Sequence, residues 1–140
     1  MPSVDVIRTE VLLECSADHA WSVFVHEKGQ WWPEMDFWPV AGSLLTEHWE
    51  LDGVMFQARG VVEDVVDGRR LVFSWREDDW ERPTLVEIAF ESAGNGALVR
   101  LSESGFAGLS DGESLAADHS AGWIYHLQTL KDYAERTPPG

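Results

Sequence analysis

DGESLAADHSAGWIYHLQTLKDYAER, residues 111 to 136, is the stretch that decides the fold. At ~100° per residue, Leu115, Ala116, His119, Trp123, His126, Leu127, Leu130, Tyr133 and Ala134 share one arc. Ala117, Asp118, Ala121, Tyr125, Gln128, Asp132, Glu135 and Arg136 share the other, a mostly polar one. The spacing predicts a helix from Asp111 to Arg136, ~39 Å long at ~1.5 Å per residue. Ser110 is the expected N-cap, with Glu113 three residues on in capping-box position. Pro138, Pro139 and Gly140 are the expected stop. A single amphipathic helix needs something broad to lie on, and the residues before it read as a sheet.

Moving outward from that helix, the strands come as alternations. Val99, Leu101 and Glu103 alternate with Arg100, Ser102 and Ser104, and Val86, Ile88 and Phe90 with Glu87, Ala89 and Glu91. Gly94-Asn95-Gly96 turns one into the other. Leu71, Phe73 and Trp75 form a further strand after the two-residue turn signal Asp67-Gly68. Strands are expected over Leu44–Leu51 and Val54–Val66, joined at Asp52-Gly53. Ile7, Thr9, Val11 and Leu13 form the first strand. Ser16 then caps a short helix with Ala17, Ala20, Trp21 and Phe24 on its apolar face. Pro33 and Pro39 bracket an irregular segment holding Met35, Phe37 and Trp38, just after Trp31-Trp32. So apolar a loop should fold over the mouth of something or dock on a partner. The expectation is one α+β domain over residues 1–140. Six antiparallel strands wrap around the long C-terminal helix, with short helices after the first strand.

Charge narrows the function. The chain of 140 residues has 10 basic and 25 acidic residues, a net charge of −15. Nucleic acid is disfavoured, since binding it means neutralising phosphates, and so is an anionic membrane surface. No apolar leader or spanning segment is read, so a cytoplasmic protein is the default. Cys15 is alone and makes no disulfide framework. The 8 tryptophans exceed what a core of this size needs, and surplus aromatics line cavities and interfaces.

Few chemistries fit. There is no glycine-rich phosphate loop and no Gly-x-Ser-x-Gly elbow. His119 and His126 share a helix face but stand ~10.5 Å apart along it, and no cluster has zinc-site spacing. No metal or cofactor is expected. Cys15, beside a predicted helix start, reads either as a thiol of lowered pKa or as a structural cysteine. Glu103 shares parity with Val99 and Leu101. Its carboxylate either points inward as a polar group at a cavity wall, or is turned out by a bulge near Gly105. His119 lies on the apolar stripe one turn from Trp123, and would meet Glu103 if the helix crosses that strand.

The ordered set of motifs carries a resemblance. Ala20-Trp21-Ser22-Val23-Phe24 opens it, followed by Phe73-Ser74-Trp75, Pro83-Thr84-Leu85-Val86 and Leu101-Ser102-Glu103-Ser104-Gly105-Phe106. His119, Gly122, Trp123 and Leu127 close it on the last helix. Over nearly its whole length the chain resembles the START-like superfamily, in the branch named after the activator of the heat shock protein 90 ATPase. That resemblance implies a helix-grip fold with a cavity between sheet and helix for an apolar or aromatic small molecule. Many relatives have His where this chain has Glu103, so a role for that histidine does not carry over.

The expected ligand-binding residues are Trp21, Phe24, Trp32, Trp38, Phe56, Phe73, Trp75, Glu103, His119 and Trp123. Plain core packing is the competing reading for the aromatic residues among them. Two alternatives belong to other classes. One is a module that docks on a chaperone or another protein through Trp31–Trp38 and the acidic loop Glu77–Glu81. The other is a cyclase or aromatase with Glu103 and His119 as acid and base. Monomer and homodimer both stay open.

Overall fold

The computed structural model describes residues 5–137; the expected stop Pro138-Pro139-Gly140 lies outside them. Strand β1 (Val6–Leu13) leads into α1 (Ala17–His26) and the single turn α2 (Lys28–Trp31). Then come β2 (Met35–Asp36), β3 (Leu44–Leu51), β4 (Val54–Val66), β5 (Arg70–Glu77), β6 (Thr84–Ala93) and β7 (Gly96–Ser104). A 3-10 turn at Phe106–Gly108 precedes α3 (Gly112–Arg136). The bounds of β3 and β4 are those expected from their turn residues.

The sheet is antiparallel in the order β1-β7-β6-β5-β4-β3-β2. Among the described residues it has seven strands, not six. The extra one is β2, paired to β3 as Met35↔Glu47 and Asp36↔Thr46. Two residues between prolines carry no readable alternation, so the sequence hides this strand in the irregular segment.

The helix cap also differs from expectation. Asp111 is the N-cap residue of α3 and makes no side-chain cap bond, while the Ser110 hydroxyl donates to Glu81 instead. At α1 the expected cap is present: Ser16 Oγ accepts from His19 N at 3.0 Å. Gly105, at φ +108°, turns the chain out of β7. Because the β6–β7 register runs unbroken through Val86↔Glu103, no bulge rotates Glu103 outward.

Alternation decides what each strand buries. Val86, Ile88 and Phe90 of β6, Val99, Leu101 and Glu103 of β7, and Phe73 and Trp75 of β5 all turn to one buried face. From the helix, Ala116, Trp123, Leu127, Leu130 and Ala134 are buried. Helix α1 seats Trp21 edge-on against Phe90, ring centroids 5.2 Å apart, with Phe24 5.7 Å from the same ring. The C-terminal half of α3 is tied down by hydrogen bonds. His19 Nε2 donates to Ala134 O (3.0 Å), Lys131 Nζ to Leu12 O (2.9 Å), and Glu14 N to Glu135 Oε2 (2.7 Å). Its N-terminal half faces β3 and β4 across open space and reaches β5 through the His119 side chain. Among the described residues no helix is long and apolar enough to cross a membrane.

Candidate functional site: an aromatic cavity beside a buried carboxylate–imidazole network

Three strands each place a glutamate on the inner face. Glu47 lies between Leu45 and Trp49 of β3, Glu77 follows Trp75 on β5, and Glu103 follows Leu101 on β7. Glu103 has no exposed surface. A carboxylate there is tolerable only with its oxygens hydrogen-bonded, and they are. Oε2 accepts from Thr84 Oγ1 at 2.5 Å. Oε1 accepts from Trp123 Nε1 and from His119 Nδ1, both at 2.8 Å.

His119 bridges two strands from the helix. Its Nε2 donates to Glu77 Oε2 at 2.9 Å, and Glu77 Oε2 also accepts from Trp75 Nε1 at 3.2 Å. Burial alone would lower the His119 pKa, but the hydrogen bonds and charges of Glu103 and Glu77 outweigh it and raise the pKa to about 9. His119 is therefore an imidazolium near neutral pH. Burial pushes Glu77 up, but His119 and Trp75 overcome it, leaving its pKa below the ordinary value. Trp80 lies over this cluster, its ring 5.2 Å from that of His119. The expected acidic loop thus turns its one aromatic residue inward, while Asp78, Asp79 and Glu81 stay exposed.

Next to this network is a cavity of about 640 Å³, within the ~300–1,000 Å³ range of small-molecule sites. Its aromatic wall is Trp32, Trp49, Phe56, Trp75, Trp123 and Tyr125; its polar wall is Glu34, Glu47, Glu77, Asp118, His119 and His126. Trp32 plugs one side. Its ring stacks on His126 at 3.8 Å, meets Trp123 edge-on at 5.4 Å, and its Nε1 donates to Glu47 Oε2 at 2.7 Å. Trp49 and Phe56 stack at 5.7 Å across the β3–β4 pair. Burial raises Glu47 to about 7 and lowers His126 to about 4. A second depression, about 620 Å³, lies on the opposite face of the sheet. Exposed ion pairs of Arg100 with Glu10 and Glu91 cross it, so it is a solvated charged surface.

Of the expected site residues, Trp32, Phe56, Trp75, His119 and Trp123 line the cavity. Trp21, Phe24 and Phe73 are buried in the core away from its wall. Glu103 points inward as its parity requires, but it stands behind His119 and Trp123 rather than at the wall. The expectation that Trp38 joins this interior is corrected: Trp38 is 74% exposed. It follows the two-residue β2, whose pairing swings the chain out along the sheet edge. Trp49, Glu47, Glu77, Tyr125 and His126 were not among the expected site residues. Glu47 and Trp49 have the same inner parity as Leu45, the signal used for Glu103. Cys15 has a raised pKa, chiefly from burial and then from Glu135, so the helix start does not activate it.

An open antiparallel sheet holding one long helix above a lined cavity defines a helix-grip protein of the START-like kind. The family model for Activator of Hsp90 ATPase homolog 1-like protein matches residues 14–135, and the chain belongs to that family. Among solved structures, CV1439 from Chromobacterium violaceum superposes with a TM-score of 0.79 at 17% identity, covering 95% of this chain and 99% of that one. DynU16, from the dynemicin biosynthetic locus, gives 0.80 at 19%, covering 95% of this chain and 48% of its own. The chain thus spans about half the length of DynU16. The Aha1 dimer from Colwellia psychrerythraea gives 0.71 at 17%, covering 95% and 98%. At these identities the likeness establishes the fold alone. No curated protein matches the sequence.

Proposed function

We propose that this chain binds a small apolar or aromatic molecule in the cavity between β3–β5 and the N-terminal half of α3. One observation carries the reading: an open space of about 640 Å³ bounded by the rings of Trp32, Trp49, Phe56, Trp75 and Trp123. A sheet and helix that merely filled their core would close that space, since interiors pack to high density. DynU16, a protein of a biosynthetic locus, supports a small-molecule role. The buried network gives the wall rigidity, because Glu103, Thr84, Trp123, His119 and Glu77 fix one another's rotamers.

Intrinsic tryptophan fluorescence tests this, titrated with fatty acids, sterols, flavonoids, aromatic polyketides, and long-chain and aryl amines. The expected result is a saturable quench or shift, weakened in Trp49→Ala and Phe56→Ala. A flat response across the panel, with the fold intact by circular dichroism, overturns the proposal.

The enzymatic reading asks more of the site. Glu103 has no surface on the cavity, and both His119 ring nitrogens are already hydrogen-bonded. His119 would have to release Glu77 before moving a proton to or from a ligand. The partner-docking reading loses most of the Trp31–Trp38 segment, since Trp31, Trp32, Met35 and Phe37 are buried, and keeps one observation, an exposed apolar strip of Trp38, Val40, Leu44 and Val61. Loss of partner capture in Trp38→Ala, with ligand titration unchanged, supports it.

A further inference from the structure

The charges around the cavity are one-sided. Among the described residues, Glu34, Glu47, Glu77 and Asp118 line it, His119 is its one cationic group, and no lysine or arginine takes part in the lining. Strand parity is the reason. Arg59 and Arg76 fall on the alternate positions to Ala58 and Glu77, and both are exposed on the other face. His119 is already committed, lying 2.9 Å from Glu77 and 2.8 Å from Glu103. Glu47 has no such partner: its hydrogen bond comes from the neutral indole of Trp32. In register, Glu47 and Glu77 flank Ala58 of β4, whose small side chain leaves the floor between the two carboxylates low. Indole and phenyl faces present negative potential as well, and attract cations most strongly where water is excluded. An anionic ligand would meet unmatched carboxylates and π-faces together.

We propose that the ligand of this cavity is a cation, an amine or quaternary ammonium on an apolar or aromatic body, with its charge beside Glu47 and its body against Trp32, Trp49, Phe56 and Trp75. This rests on the cavity reading above and names the class of molecule it takes. The groups that bear on Glu47 are Glu34 from the loop before β2, Glu77 from β5, and His119 from α3. His126, also on α3, is stacked on Trp32 and neutral. Burial holds Glu47 near neutrality at about 7, and a bound cation draws its proton off. Cation affinity therefore rises with pH through that value.

The test is isothermal titration calorimetry at about pH 8 in low salt, with matched probes on two bodies. 2-Naphthylmethylamine is compared with 2-naphthylmethanol and 2-naphthylacetate. Dodecyltrimethylammonium is compared with dodecanol and dodecanoate below their micelle concentrations. The cation of each series is expected to bind at least about tenfold tighter than the alcohol, with the anion weakest. Glu47→Gln should collapse the cation-to-alcohol affinity ratio of each series towards one. Equal binding of cation and alcohol, or tighter binding of the anion, overturns the charge inference and leaves the cavity standing. Silence from every probe of both bodies overturns the cavity reading and this inference with it.

Discussion

Glu103→Gln keeps the shape of the side chain and removes its charge. In the native protein Glu103 is fully buried and accepts from Thr84, Trp123 and His119. The amide oxygen can replace Oε1 for His119 and Trp123, so the geometry survives. What is lost is the partner of a buried cation. The rise of His119 from 6.5 to about 9 corresponds to about 3 kcal/mol of preferential proton binding by the folded state. His119 is only 13% exposed, so little of that is screened by solvent. Glu103 and Glu77 share it, and removing one is expected to cost about 2 kcal/mol. The sign follows from the direction of the shift. A raised histidine stabilises fully below its unfolded value near 6.5, and the contribution disappears as pH climbs through about 9. Urea denaturation of the natural protein and of Glu103→Gln is therefore compared at about pH 6 and about pH 9.5, where the difference between proteins cancels every other titrating group. The gap should be about 2 kcal/mol at the lower pH and shrink markedly at the higher. A gap that is constant with pH, or one that widens as pH rises, refutes the charged network.

Three further outcomes are expected. Trp49→Ala and Phe56→Ala, both on partly exposed rings, should cost less than about 1.5 kcal/mol in chemical denaturation while weakening bound probes about tenfold in fluorescence titration. Glu47 has its folded pKa raised to about 7, so keeping it ionised costs stability that grows between about pH 4.5 and pH 7. Glu47→Gln should then gain on the order of 1–2 kcal/mol over the natural protein at about pH 8 and nothing at about pH 4.5, again by urea denaturation. Gly60→Ala would set a Cβ 1.7 Å from Ser74 O, so its thermal melt should reveal a loss of about 3 kcal/mol or more.

Much of this architecture was readable where a single physical rule dominates. The buried and exposed faces of α3 follow its 3.6-residue period, and Asp52-Gly53 and Asp67-Gly68 mark the hairpins. For Glu103 the parity of Val99 and Leu101 pointed inward, but a bulge near Gly105 stayed equally open until the unbroken β6–β7 register removed it. Glu77 was not legible, because it sits where strand and acidic loop merge and its neighbours Asp78 and Asp79 look solvated. Glu47 shares its parity with Leu45, Trp49 and Leu51, but the strand opens on two leucines of opposite parity, Leu44 and Leu45, which masks that alternation. Trp38 misled because apolarity says that a residue seeks cover, not which direction a two-residue edge strand gives it.

The pairing of β1 with β7 has a consequence for the birth of the molecule. Leu13 lies opposite Ala97 and Val6 opposite Ser104, separations of 84 and 98 positions. Every other pairing of the sheet joins neighbours in sequence. A ribosome adds ~5–20 residues per second, so β1 emerges and waits on the order of 5–20 s before its partner exists. Meanwhile the hairpins from β3 to β6 can close within microseconds of their synthesis. The last step of sheet formation thus recruits the earliest-made strand, and α3, which ties itself to Leu12 and Glu14, can lock only after that. Until then Ile7, Val11 and Leu13 are bare, and chaperone capture or aggregation of the nascent chain would begin there.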